Sequence, residues 1–155
     1  MDKKALLTIA VVLCIMLVAV PAIAQKEQLL NRISEHNQKA EQLNSDMMTT
    51  DQVLSARQEQ TEQNMDLIAV SDLDSIKGDV SGASDKIKTW ETKIDELEKG
   101  YQDIYQQSLS GQLAPGDQEH VKSELSELRS NIDTAKQNLR PIKEKRDAIQ
   151  GRINS

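Results

Sequence analysis

The chain has 155 residues, no Phe, one Trp and two Tyr, with an abundance of Gln, Glu, Lys, Asp and Ser. That is poor material for a compact globular core and good material for long helices around a narrow apolar seam. The 25 Asp and Glu against 19 Lys and Arg give a net charge of −6, which argues against nucleic acid and anionic lipid as partners. The only cysteine is Cys14, so no disulfide framework is available.

Residues 1–24 have the three parts of a secretory signal peptide. Lys3 and Lys4 form a positive start, Ala5 to Val20 an apolar run broken at Pro21, and Ala22-Ile23-Ala24 a small-residue cleavage motif. Cleavage is expected before Gln25, placing the mature chain in a periplasmic or extracellular setting. Without Asp2, Lys3 and Lys4 that chain holds 17 basic and 24 acidic residues, a net charge of −7. The alternative is an uncleaved anchor: Ala5–Ala24, about 20 residues, is long enough to cross a hydrocarbon core of ~30 Å. Lipidation of Cys14 is not expected, because the bulky Leu13 precedes it and apolar residues follow.

From 26 to about 69, Ile33, Ala40, Met47, Leu54, Thr61 and Ile68 recur every seven residues. Their companions are Leu29, His36, Leu43, Thr50, Arg57 and Asn64, so about half of the whole seam is polar. The pattern predicts a long first helix that turns near Val70–Asp72 and packs loosely on the rest, or an arm that orders on a partner. Thr49 and Gln52 have capping-box spacing and mark a candidate break over Ser45–Asp51. Met47, Met48 and Met65 read as gap fillers of this weak seam.

Two later segments carry sustained heptads. Leu73, Ile76, Val80, Ala83, Ile87, Trp90, Ile94, Leu97, Tyr101 and Ile104 alternate by three and four residues. So do Val121, Leu125, Leu128, Ile132, Ala135, Leu139, Ile142, Arg146, Ile149 and Ile153, with one charge among them. Such spacing keeps one stripe facing a partner helix. Between them, Ser110–Gly116 is a breaker cluster containing Pro115 and two glycines, followed by Asp117 as expected N-cap and Glu119 in the first turn. The expected fold is all-α: a long antiparallel coiled-coil hairpin of helices 73–109 and 117–153, completed by the 26–69 helix into an elongated three-helix bundle. Pro141 should kink the last helix.

Folding at the loop pairs residues whose numbers sum to about 226. Trp90 then faces Ala135, and Glu98, Glu91 and Asp79 meet Arg129, Lys136 and Lys145. Arg146 falls near Val80 and Asp79. A parallel homodimer also satisfies the flanking charges, so a homo-oligomer is the competing arrangement.

No catalytic constellation is present. His36 and His120 lack a second ligand at metal-binding spacing, and no phosphate loop or nucleophile elbow occurs. Asp72-Leu73-Asp74 fails as a calcium loop, because Ile76 and Ala83 stand where oxygen ligands are needed. Lys143–Arg146 reads as basic residues near a helix C-terminus rather than a phosphate site. The expectation is a non-enzyme with no cofactor and no metal.

One patch is a candidate contact. Tyr101, Tyr105 and Leu109 lie at i, i+4 and i+8, and Leu113 follows in the loop, widening the apolar face at the hairpin tip. Coverage by the first helix is the plainer account of these four residues. Together these features predict an exported scaffold acting on a protein partner through a rigid helical surface. The alternatives are a chaperone-like holdase using the Met-containing arm and the tip, and a membrane-tethered spacer if the leader is retained.

Overall fold

A computed structural model describes the backbone of residues 3–64, 68–110 and 113–155, with side chains described over 23–62, 68–110 and 113–155. The predicted leader therefore lies outside the described side chains as far as Ala22, as do Asn64 and Met65. Three helices make up the fold: α1 (Lys3–Asn64), α2 (Val70–Ser110) and α3 (Pro115–Ile153). Among the residues whose side chains are described, which leave out the leader as far as Ala22, no helix is long and apolar enough to cross a membrane.

The helices form a three-helix bundle in an up-down-up arrangement. Arg32 reaches Asp103 at 2.6 Å and Arg57 reaches Asp79 at 2.8 Å, so α2 runs antiparallel to α1. Lys26 meets Asp117, Asp51 meets Lys145 and Glu62 meets Arg152, all at 2.6–2.7 Å, so α3 runs parallel to α1. At 1.5 Å per residue, α2 and α3 are each ~60 Å long.

The heptad stripes form the core. On α2, Ile76 through Ile104 are buried at seam positions, with Leu73 and Tyr101 only half-buried at the ends. On α3 the same holds from Val121 to Ile149, and Arg146 is half-buried. Trp90 and Ala135 are both buried seam residues.

The first helix is not a loose arm. Ile33, Ala40, Met47 and Leu54 are fully buried, and the core is continuous across all three helices. Polar seam positions are tolerated because each finds a partner. Lys86 donates to the Thr50 hydroxyl at 3.3 Å, Thr61 donates to the Gln58 carbonyl at 3.0 Å, and Asn131 donates to Asn37 at 3.2 Å. The expected break at Ser45–Asp51 does not occur, since α1 is continuous there and Thr49 donates back to the Ser45 carbonyl at 3.1 Å. The stripe also shifts by one residue: Asn37 is buried, while His36 sits at the flank.

The start of α3 differs from expectation. Ala114 occupies the N-cap without a side-chain cap, and Pro115 opens the helix, where its missing N–H costs nothing. Asp117 lies in the first turn and pairs with Lys26 instead of capping. Glu119 is exposed. α3 continues through Pro141 to Ile153.

The hairpin register is also displaced. Arg129 meets Glu98 at 3.4 Å as expected, but Lys136 bonds to Glu98 and Lys143 to Glu91, giving sums of 227 and 234. Arg146 reaches Ser84 at 3.1 Å, a sum of 230, and not Val80 or Asp79. The pairing centre is thus nearer 230 than 226. Asp79 and Lys145 are taken by Arg57 and Asp51 of α1, a competition that pairing within the hairpin alone leaves out.

Candidate functional site

At the tip, the last turns of α2 and the first turns of α3 enclose an open groove of about 570 Å³. Residues 101, 105 and 109 fall on one stripe because four residues return a helix to nearly the same face. Tyr101 packs half-buried against the core and stacks on Tyr105, with ring centroids 6.1 Å apart and planes 11° from parallel. The Arg129 guanidinium lies 5.7 Å from the Tyr101 centroid, within cation–π range. Arg129 also touches Asp133 at 3.2 Å, which fixes the guanidinium over the ring. Val121 and Leu125 of α3 supply the opposite wall.

The four predicted residues converge here with different exposures. Leu113 is buried, and its carbonyl accepts a bond from the Gln118 amide at 3.3 Å, folding the loop residue inward. Tyr105 is 39% exposed and Leu109 64% exposed. The first helix reaches the tip but passes on the other side of α2. Arg32 bonds Asp103 and Gln107, and the His36 ring lies over Gly100. The contacts of α1 therefore fall on the stripe 100–103–107 and not on 105–109, so coverage by α1 does not account for Tyr105 and Leu109.

Arg129, Val121 and Leu125 were not singled out from the sequence as part of this patch. A pairing sum of 230 brings residue 129 opposite residue 101, so the displaced register is what hides Arg129; at a sum of 226, Val121 and Leu125 already fall opposite Tyr105 and Tyr101.

The groove offers apolar area, two stacked phenols and a guanidinium committed to neighbours. Among the described residues, no group of three His, Cys, Asp or Glu is placed to hold a metal ion. His36 donates from Nδ1 to the Arg32 carbonyl at 2.8 Å, and His120 is exposed. A second groove of about 550 Å³, between α1 and α2, is lined by His36, Lys39, Lys93 and Glu96 around Leu43 and Leu97. The carboxyls of Glu62 and Asp103 are held below their ordinary values. For Glu62 the cause is the Gln58 amide and then Arg152; for Asp103 it is Arg32. Glu144 raises Arg140 in the same way. All three are solvent-facing pairs outside the tip groove.

No known protein family matches this chain, and neither does any curated protein or solved structure.

Proposed function

We propose that the chain is an exported, non-enzymatic scaffold whose rigid three-helix bundle presents contact surfaces to other molecules. The observation that carries this reading is the tip: Tyr105 and Leu109 stand exposed beside the half-buried Tyr101, on which Tyr105 stacks. The export signal in residues 1–24 supplies the extracytoplasmic setting. In a released form beginning at Gln25, the tip groove is the contact for a protein partner, and anchor residues of this type suit such a role. A photo-crosslinker at Tyr105 should capture one defined partner in cells, one at Met48 should not, and Leu109→Asp should abolish capture. Equal capture from both positions would remove the tip from the reading.

A second reading, the membrane-anchored form, is favoured by one feature of α1. The helix runs without interruption from Lys3 through Pro21 and the Ala22–Ala24 motif into the bundle. The mass of the protein isolated from cells separates the two forms, since release removes residues 1–24.

A further inference from the structure

Three ion pairs fix the height of the tip relative to the apolar run Ala5–Ala24. Lys26 lies 2.6 Å from Asp117, tying α1 to the first turn of α3. Arg32–Asp103 and Arg57–Asp79 set the antiparallel register of α1 and α2, with residue numbers summing to 135 and 136. Leu109 therefore stands level with Lys26, only about 3 Å along the axis from Ala24. Tyr105 stands about 6 Å farther into the bundle. A retained leader consequently does not hold the hairpin at a distance; the tip closes on the leader's end.

Resting on the anchored form described above, we propose that this end of the bundle, where Tyr105 and Leu109 stand exposed on α2 and Ile23 on α1, is a foot that seats on the lipid surface. Ala5–Ala24 at 1.5 Å per residue is ~30 Å long, the thickness of a hydrocarbon core. The headgroup layer adds roughly 5–7 Å on each side. Leu109 then lies within that layer, and the Tyr105 backbone, about 9 Å from Ala24, lies just beyond it, so that only its side chain reaches the headgroups where tyrosine is enriched. Of the six large apolar side chains exposed among the described residues, Ile23, Tyr105 and Leu109 gather at this one end. Val70, 77% exposed, lies at the opposite end, ~60 Å away along α2. The helix supplies the proximity, so the net charge of −6 does not oppose seating on a zwitterionic surface.

The test uses the full chain with Cys14→Ser, reconstituted into phosphatidylcholine vesicles, and an environment-sensitive dye on Leu109→Cys or Val70→Cys. Seating predicts a blue-shifted, severalfold brighter dye at 109, quenched by headgroup-nitroxide lipid, and a dye at 70 that reports water. A chain that survives an alkaline wash on the vesicles while its 109 dye reports water overturns the foot and leaves anchoring intact. A blue shift that lipid nitroxide does not quench also overturns it, by showing a second copy over the tip. A chain that washes off, or that is recovered from cells beginning at Gln25, overturns both the foot and the anchored form.

Discussion

Asn138 donates its side-chain amide to the Asn44 carbonyl oxygen at 3.1 Å across the parallel α1–α3 interface. Seven residues earlier on both helices, Asn131 donates to Asn37 at 3.2 Å, and seven later Lys145 meets Asp51 at 2.7 Å. The three rungs share one offset of 94 residues, so any slip of α1 along α3 by less than a heptad breaks all of them together. Asn44 also donates to the Asn131 backbone carbonyl at 3.1 Å, linking two rungs.

Because Asn37 is buried, Asn131→Ala strands its carbonyl oxygen and should cost about 1–3 kcal/mol. Replacing both Asn37 and Asn131 with Leu removes that penalty and should leave stability near or above that of the parent. What the double replacement loses is register, as buried polar pairs specify alignment in coiled coils. Urea denaturation reads the first effect; broadened NMR amide lines or mixed oligomers read the second. A double variant with one sharp set of amides would assign register to the Lys145–Asp51 rung.

Gly100 is where α1 and α2 approach closely. An alanine Cβ there would fall 2.1 Å from Nε2 of His36. Gly100→Ala should therefore gain little or lose stability in the parent, because the ring must leave its bond to the Arg32 carbonyl. In a His36→Ala background the same substitution should gain about 1 kcal/mol from helix propensity. The coupling, of the order of 1 kcal/mol or more, is read from a urea double-mutant cycle. Equal gains in both backgrounds would mean the ring moves aside freely.

Gly78 and Gly82 have open space where a Cβ would stand, and both lie inside α2. Alanine at either position should stabilise by about 0.5–1 kcal/mol through the reduced entropy of the unfolded chain. Thermal unfolding of the double variant should show the two gains adding. A loss at either position would reveal a contact on that face that a bare helix surface does not have.

The α2–α3 seams were legible because their heptads are nearly unbroken and apolar, and periodicity reports burial directly. The packing of α1 was not, because Asn37, Thr50 and Thr61 occupy its seam and an apolar count scores them as solvent-facing. Their partners lie about 36 to 94 residues away or in the local backbone, beyond any periodic pattern. A signal did exist: Asn37 and Asn44, like Asn131 and Asn138, repeat at heptad spacing. At the tip, the Tyr101–Tyr105–Leu109 stripe was legible from its i, i+4 spacing. Arg129 was not, since Glu98 accounts for its charge and the stacking on Tyr101 depends on a register set jointly by three helices.

Acid should weaken two ties between α1 and its neighbours. Asp103 is held below the ordinary aspartate value by the bond from Arg32, and Glu62 below the glutamate value by Gln58 and then Arg152. A carboxyl whose folded value is depressed contributes stability that is fully present above its unfolded value, about 4, and is lost as pH falls through the folded one. The contribution of Arg32 and Arg152 should therefore be constant near neutral pH and fade in acid, as pH falls through the folded values that lie below about 4. Both pairs face solvent, so their effect is small and screened by salt. Arg32→Met and Arg152→Met should each lower Tm slightly at neutral pH and low salt, and the deficit should shrink both in acid and in ~1 M salt. A deficit that persists unchanged under both conditions would mean the arginines act through the packing of their aliphatic stems.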